Sequence, residues 1–347
     1  MASGLSNAHS QIKHTPPSEG PTALNLHIVP RVEKLRTAVI GAGVFGRLHM
    51  AKYQALDGVE LVAVADPSGK ARSAAEVKFG VKTHADWREL KSVIDVVSIC
   101  SPASTHAEII RGFLEAGVHV LVEKPIATNL EEADELIALA AAKGLVLNVG
   151  HQERLVFDHC GLLSFTDAPL SIESLRAGPW TGRCTDVSAV VDLMTHDLDL
   201  IHRLVPGEID EVRAAGRVMA GPFVDEMTAN LSFEDGCEVK LFASRIAETR
   251  ERSMRLVYAD GVIEFDFLTR SIRNTTKRAL QPLELADPLG DEIASFIAEV
   301  EGGPMSLVRP EEARRALETA LLIEDAAAQG VPAAHNVQAP VGVALSA

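Results

Sequence analysis

The chain has 347 residues, 47% of them hydrophobic, and it carries a formal net charge of −15 at pH 7. This length allows two domains, each with its own apolar core, and the negative charge argues against nucleic acid or an anionic membrane as a partner. The four cysteines, Cys100, Cys160, Cys184 and Cys237, are widely separated and form neither a C-x-x-C pair nor a zinc-binding pattern, which favours a reduced, cytoplasmic protein.

The two ends of the chain predict tails. The first 34 residues mix His, Ser, Pro and Gly and lack an unbroken apolar core of signal-peptide length. No later stretch reaches the roughly 18 apolar residues that a membrane span needs, because charges interrupt each candidate. We therefore expect a disordered tail at 1–34, a C-terminal tail at 331–347 and no membrane partner.

A glycine-rich turn follows the first apolar run. Residues 37–40 predict a buried strand and residues 44–56 a helix, so the turn joins a strand to a helix. In such a turn the first glycine permits a tight bend, the second lets the backbone approach a pyrophosphate, and the third lets the helix pack against the strand. The residues expected to contact a dinucleotide here are Gly41, Gly43, Val44, Phe45 and Gly46.

An acidic residue, Asp66, follows the second predicted strand at 61–65. Its carboxylate can accept hydrogen bonds from both hydroxyls of an adenosine ribose, whereas a 2′-phosphate would meet its negative charge. No arginine occurs in the next three residues, although Lys70 and Arg72 come soon after. The sequence therefore predicts NAD as the cofactor, with NADP less favoured.

Strand-like runs alternate with helical patterns up to about residue 150, which predicts a doubly wound parallel sheet with helices on both faces. The run at 93–100 ends in Ser101 and Pro102, and His106 precedes a helix at 107–115. Carboxyl ends of strands line the ligand crevice in such sheets, so Ser101, Pro102 and His106 are candidates to contact the nicotinamide half. An equal alternative for His106 is a histidine satisfied locally at the start of the helix.

The next strand, at 118–122, leads into Glu123, Lys124 and Pro125. A lysine placed where a buried strand opens toward a bound dinucleotide is a candidate proton-transfer group. We expect both Glu123 and Lys124 to lie against the cofactor. A helix at 130–142 and a strand at 145–149 then complete an NAD-binding domain over 35–150.

From residue 151 to 330 the pattern predicts a second, substrate-binding domain. Turns at Asp235-Gly236 and Asp260-Gly261 separate later strand candidates and indicate an antiparallel meander. The predicted strands are 209–219, 226–233, 238–244, 253–258 and 262–267, and the predicted helices are 187–204, 289–301 and 310–328.

The helix at 187–204 carries a polar stripe in which Asp192, His196, Asp199 and Arg203 recur at helical spacing. A solvated face with ion pairs is the commoner meaning of such a stripe. Alternatively, His196 lies in the cleft and Asp192, one turn earlier, orients its imidazole for proton transfer. A metal held by these two residues would lack an evident third ligand.

Together these motifs resemble those of the Gfo/Idh/MocA oxidoreductases over about residues 36–330. The resemblance implies an N-terminal Rossmann domain, a C-terminal α/β domain with an open, mainly antiparallel sheet, and a nicotinamide cofactor across the cleft. It also implies that Lys124 contacts the reacting hydroxyl, that His196 acts as acid or base, and that Asp192 contacts or orients the substrate.

Segments 149–154, 176–187 and 192–199 are similar to those of family members that oxidise the 3-hydroxyl of UDP-N-acetylglucosamine. Arg154, Arg176 and Arg183 precede the His196 helix, and guanidinium groups suit a diphosphate. The alternative is that these arginines form ordinary ion pairs with carboxylates. The residues expected to bind substrate are thus Arg154, Arg176, Arg183, Asp192 and His196.

The predicted reaction is hydride transfer from a secondary alcohol carbon to the nicotinamide, with Lys124 or His196 accepting the hydroxyl proton. Two other functions remain open: oxidation of a free sugar, cyclitol or sugar acid, and a non-catalytic dinucleotide sensor. The sheet of the second domain offers a broad face for self-association, so a homo-oligomer is expected.

Overall fold

The structure is a computed structural model that describes residues 34–283, 287–306 and 308–330. The tails predicted at 1–34 and 331–347 lie outside these ranges, apart from Lys34. All four cysteines are free thiols. None of the helices within the described ranges is long and apolar enough to cross a membrane.

The first half of the chain forms a six-stranded, wholly parallel sheet in the order β3-β2-β1-β4-β5-β6. Its strands are mostly apolar on both faces because helices cover both, and all four residues of β4 are buried; the short edge strand β3, which is Lys-Thr-His, is the exception. The elements are β1 Leu35–Ile40, α1 Val44–Ala55, β2 Val59–Ala65, α2 Gly69–Phe79, β3 Lys82–His84, β4 Val96–Ile99, α3 His106–Glu115, β5 His119–Glu123, α4 Leu130–Lys143 and β6 Leu147–Gly150. The predicted Rossmann fold is confirmed.

The strand order reverses between β1 and β4, so the loops after these two strands diverge and leave a crevice at the carboxyl edge of the sheet. The glycine-rich turn follows β1, and Ser101-Pro102 follows β4. Lys124 directly follows β5, the next strand along. The topology therefore brings the predicted cofactor motifs to one edge.

The second sheet has seven strands in the order β13-β12-β11-β7-β10-β9-β8. It is mainly antiparallel, as expected, but β7 and β10 pair in parallel. The strands are β7 Ser171–Ala177, β8 Ile209–Arg217, β9 Glu226–Phe233, β10 Glu238–Ser244, β11 Glu251–Tyr258, β12 Gly261–Asp266 and β13 Ser271–Asn274. The central strand β7 was not predicted because its buried positions include Ser174 and Arg176, which obscure the apolar alternation.

Four further helices complete the described fold: α5 Gln152–His159, α6 Thr195–Leu204, α7 Pro288–Val300 and α8 Pro310–Ala328. The helix expected at 187–204 starts with a π-helical turn, Val190–Met194, before α6. The Ser188 hydroxyl accepts hydrogen bonds from the backbone N–H groups of Val190 and Val191, which fixes this start.

Helix α7 was expected in the second domain but packs in the core of the first sheet. Its Leu289, Ile293 and Phe296 belong to the same buried apolar cluster as Met50 and Tyr53 of α1. The chain thus returns to the first sheet after it has completed the second, and a boundary at residue 150 does not separate the two cores.

Candidate active site

A cavity of about 880 Å³ lies at the carboxyl edge of the first sheet. Its walls include most of the residues predicted to contact the cofactor, namely Gly41, Gly43, Phe45, Asp66, Ser101, Pro102, His106, Glu123 and Lys124. Arg183 and Asp192, from the second half of the chain, also line it, whereas Val44, Gly46, Arg154, Arg176 and His196 do not. The volume suits a cofactor-sized ligand.

The three glycines of the first turn meet the requirements of a pyrophosphate cradle. Gly41 has a φ of +94°, and a Cβ there would lie 2.7 Å from the Cys100 carbonyl oxygen; a Cβ at Gly46 would lie 1.8 Å from the Gly41 oxygen. A Cβ at Gly43 would meet nothing within 4 Å. Side chains are thus excluded at two positions by close backbone packing, while Gly43 leaves open space at the cavity wall where phosphates can approach.

Asp66 fits the ribose end of a dinucleotide. Its Oδ2 accepts a hydrogen bond from the Ala42 N–H at 2.7 Å, and its Oδ1 accepts one from the Ser68 N–H, also at 2.7 Å. Each oxygen keeps a second lone pair for a ribose hydroxyl. The nearby Arg72 guanidinium donates to the backbone carbonyls of Asp66 and Pro67. The carboxylate is therefore held in place at the cavity wall and can still accept a ligand.

His106 contacts the backbone locally near the start of α3, as one of the two sequence-based alternatives holds, and it also lines the cavity. The ring is buried, with Nδ1 2.7 Å from the Pro125 carbonyl oxygen and Nε2 3.0 Å from that of Ser101. Burial lowers the pKa of His106. The ring nitrogens thus face the loops after β4 and β5, and a neutral ring donates a hydrogen bond to one of the two carbonyl oxygens.

Glu123 connects β5 to helix α1. Its Oε1 lies 2.8 Å from His49 Nε2, and His49 Nδ1 lies 3.1 Å from Ser98 Oγ, which also bonds the Tyr53 hydroxyl. Burial alone raises the pKa of Glu123, but His49, Lys124 and His196 together outweigh it, and the pKa ends below its ordinary value. The network holds the end of β5, and with it Lys124, in a fixed position.

Lys124 and Asp192 form a close ion pair at the cavity wall. The Lys124 Nζ donates to Asp192 Oδ1 at 2.7 Å and to the Asp192 carbonyl oxygen at 2.5 Å, and both side chains are largely buried. Burial alone lowers the pKa of Lys124, but Asp192 outweighs it and the pKa ends above its ordinary value. The lysine is therefore protonated at neutral pH.

His196 is not oriented by Asp192, contrary to one sequence-based hypothesis. Its Nδ1 lies 2.8 Å from Glu153 Oε2, on the first turn of α5. Burial lowers the pKa of His196 to about 4, with Lys124 lowering it further and Glu153 opposing. The imidazole is neutral at neutral pH, and Asp192 is instead committed to Lys124.

Arg154 and Arg176 do not form the expected phosphate-binding cluster with Arg183. Each is 1% exposed and paired with carboxylates: Arg154 with Asp199 and Glu312, and Arg176 with Glu153 and Asp197. These are the ion pairs of the alternative hypothesis, and each carboxylate is needed because a buried guanidinium without a partner is strongly destabilising. Only Arg183 of the three lines the cavity.

The segment between β7 and the π-helical turn reaches the glycine-rich turn. The Arg183 guanidinium lies over the Phe45 ring, 5.9 Å from its centroid. Asp186 Oδ2 accepts a hydrogen bond from the Ser104 N–H at 2.9 Å, near the start of α3. The second half of the chain thereby covers part of the cofactor cavity.

Glu153 and His49 were not among the site residues predicted from the sequence. Glu153 is distant along the chain from His196 and from Arg176, so no local spacing signals their contact. The same holds for His49 and Glu123. Within the described ranges, no group of three or more His, Cys, Asp or Glu side chains is placed to hold a metal ion.

Comparisons with known proteins find relatives of both halves of the chain. Residues 35–151 match an oxidoreductase family domain with an NAD-binding Rossmann fold, and residues 166–264 match a GFO/IDH/MocA C-terminal domain. UDP-N-acetylglucosamine 3-dehydrogenase of Acidithiobacillus ferrooxidans is 34% identical over 240 residues, 69% of this chain and 76% of that protein. A solved structure of that enzyme superimposes with a TM-score of 0.79 at 31% identity, covering 86% of this chain and 100% of the other. Myo-inositol 2-dehydrogenase of Thermotoga maritima is 27% identical over 327 residues, 82% of this chain and 93% of that protein.

Proposed function

The chain belongs to the Gfo/Idh/MocA oxidoreductases, and we propose that it oxidises a secondary hydroxyl of a nucleotide sugar, at C3 of a UDP-N-acetylglucosamine-type substrate, with NAD. The observation that carries the proposal is the pairing of a protonated Lys124 with Asp192 at the cavity wall, near a neutral His196. Oxidation of an alcohol needs both a hydrogen-bond donor at the alcohol oxygen and a base that accepts the hydroxyl proton.

The protonation states assign these two roles. Lys124 already carries its proton, so it donates a hydrogen bond to the substrate oxygen and stabilises negative charge that develops there. His196 is neutral and accepts the hydroxyl proton. The C–H electron pair leaves as hydride, and the C–O bond becomes a carbonyl. The nicotinamide ring, when bound, is the hydride acceptor.

An anionic substrate is supported by two arginines near the site. Among the described residues, neither Arg183 nor Arg252 forms an ion pair with a carboxylate, unlike Arg154 and Arg176. Burial lowers the pKa of Arg252, and its neighbour Arg176 adds to this shift. Guanidinium groups without a carboxylate partner favour a diphosphate, and they supply local positive charge in a protein of net charge −15. The similarity to a UDP-N-acetylglucosamine 3-dehydrogenase supports the same substrate class.

The first experiment is to add UDP-N-acetylglucosamine to the purified protein with NAD and to identify the product by mass. Free N-acetylglucosamine and myo-inositol serve as parallel substrates, and NADP as a parallel cofactor. We expect a product two hydrogen atoms lighter from the nucleotide sugar alone. Oxidation of the free sugar or of myo-inositol instead would refute the nucleotide sugar and favour a free sugar or cyclitol. The 27% identity to myo-inositol 2-dehydrogenase is the observation that favours this second candidate.

The preference for NAD is tested at Asp66. We expect Asp66→Ala to weaken NAD binding roughly tenfold or more, because hydrogen bonds to a charged carboxylate are lost. NADP binding should weaken less or improve, since a repulsive charge is also removed. Titration of both cofactors by fluorescence measures the ratio, and an unchanged ratio would contradict the role of Asp66. Asp57→Ala, a residue outside the cavity lining, is the control.

A further inference from the structure

We propose that Glu153 is a positioning residue that fixes the tautomer and orientation of His196, and so prepares its Nε2 to accept the substrate proton. This proposal rests on the proposed function of His196. Glu153 Oε2 lies 2.8 Å from His196 Nδ1, and 17% of the Glu153 side chain is exposed. No aligned hydrogen bond joins these two atoms, but the negative charge of an ionised carboxylate 2.8 Å away repels a lone pair on Nδ1. This charge favours the tautomer in which Nδ1 carries the hydrogen and Nε2 keeps its lone pair.

The Glu153 carboxylate is itself held by a buried arginine. Its Oε1 lies 3.1 Å from Arg176 Nη1, and Arg176 Nε donates to both carboxylate oxygens of Asp197 at 2.8 Å. Asp197 follows His196 directly in α6. The chain of contacts from His196 through Glu153 and Arg176 therefore returns to the residue next to His196, and it joins α5, β7 and α6.

Burial makes this arrangement rigid and specific. Arg176 and Asp197 are each 1% exposed, so water cannot readily replace either partner. Burial alone raises the pKa of Glu153, but His196 and Arg176 outweigh it and hold the pKa well below its ordinary range. Glu153 is thus ionised at neutral pH, as the proposed role requires.

Asp192 cannot take this role in the observed geometry. Its Oδ1 and its backbone carbonyl oxygen both hold the Lys124 ammonium group. Glu153 also supplies the negative charge that opposes the effects of burial and of Lys124 on His196. When a proton moves from the substrate hydroxyl to Nε2, the resulting imidazolium is paired with a carboxylate that is already in place.

A measurement on the tautomer tests the proposal without any substrate. In protein with 15N-labelled histidine, the His196 signals are identified by their loss in His196→Ala. We expect the wild type to show a protonated Nδ1 and an unprotonated Nε2, and Glu153→Gln to change this pattern. A wild-type His196 protonated at Nε2 would overturn the proposal, whatever the protein is found to oxidise.

Kinetics then test whether the contact matters for turnover, with the substrate that the first experiment identifies. We expect Glu153→Gln to lower kcat roughly 10²-fold, the lower end of what a general base contributes, with little change in KM. Because Glu153 acts through His196, Glu153→Ala combined with His196→Ala should be no slower than His196→Ala alone. Additive losses, or a kcat for Glu153→Gln near the wild-type value, would overturn the proposal.

Glu264→Gln is a matched control. Glu264 is 18% exposed and also pairs with an arginine, Arg273, at 2.7 Å, but it lies on β12 and has no contact with His196. The kcat and the histidine signals of the Glu264→Gln variant should equal those of the wild type. If wild-type protein oxidises none of the tested substrates, the proposed function fails, whereas the tautomer measurement still decides the role of Glu153.

Discussion

Two ionisable side chains of the site have carboxylate partners at nearly equal distances, yet they differ in charge. Lys124 Nζ lies 2.7 Å from Asp192, and His196 Nδ1 lies 2.8 Å from Glu153. The pKa of Lys124 ends above its ordinary value, whereas burial lowers the pKa of His196 to about 4. A lysine starts far above neutral pH and a histidine close to it, so burial leaves only the histidine neutral. Two similar carboxylate contacts therefore leave one side chain charged and the other neutral.

The largest expected effect comes from removing the donor. Lys124→Ala should reduce turnover by roughly 10²- to 10⁴-fold, because the substrate oxygen loses its charged partner. NAD affinity should remain largely intact, since the glycine-rich turn and Asp66 are unchanged. Steady-state rates and cofactor titration measure the two effects. Lys143→Ala, an exposed lysine at the end of α4, is the control, and turnover equal to that of the control would refute the assignment.

The second prediction concerns the charge of the carboxylate that contacts Lys124. Asp192→Asn keeps the shape of the side chain but removes the charge that raises the pKa of Lys124, so burial should bring that pKa down. The proposed mechanism uses protonated Lys124. As the pH rises, the variant should therefore lose activity at a lower pH than the wild type does. We also expect kcat/KM to fall roughly tenfold or more at neutral pH.

Rates measured from neutral to alkaline pH check this second prediction. Asp134→Asn removes a carboxylate from an exposed ion pair with Arg314 and should leave the profile unchanged. If the rate of Asp192→Asn falls at the same alkaline pH as that of the wild type, then Asp192 does not set the charge of Lys124.

The smallest expected effect concerns a buried carboxyl that, within the described residues, has no cation as a partner. Glu292 on α7 is 7% exposed, and burial raises its pKa well above the ordinary value, with Glu123 adding to the shift. The folded state thus keeps a proton that the unfolded chain releases, so stability falls as the pH rises from the unfolded pKa toward the folded one.

Glu292→Gln should therefore stabilise the protein at alkaline pH, by about 1–3 kcal/mol, and much less at acid pH. Chemical denaturation at the two pH values measures this difference. Glu301→Gln, exposed at the end of the same helix, should show no such dependence. An equal effect at both pH values would mean that Glu292 is ionised in the folded state.

Much of the fold could be predicted from the sequence because its signals are local. Five of the six parallel strands of the first sheet appear as apolar runs, and the glycine-rich turn and Asp66 directly follow two of them. The edge strand β3 was not predicted because it is short and polar. The alternation in β9 and the turns that follow it indicated the antiparallel part of the second sheet. Strand β7 was missed, since it buries Ser174 and Arg176 among its apolar residues.

The sequence by itself determined the family and the Rossmann half, and it singled out Lys124, Asp192 and His196 as candidate site residues, because each depends on residue type and on spacing along the chain. Only the tertiary structure decided which carboxylate contacts Lys124 and which contacts His196. It paired Asp192 with Lys124 and Glu153 with His196, and it placed Arg154 and Arg176 in buried ion pairs. The physical reason is that these partners lie on separate elements, and burial, which sets the charge of each group, exists only once those elements have packed together.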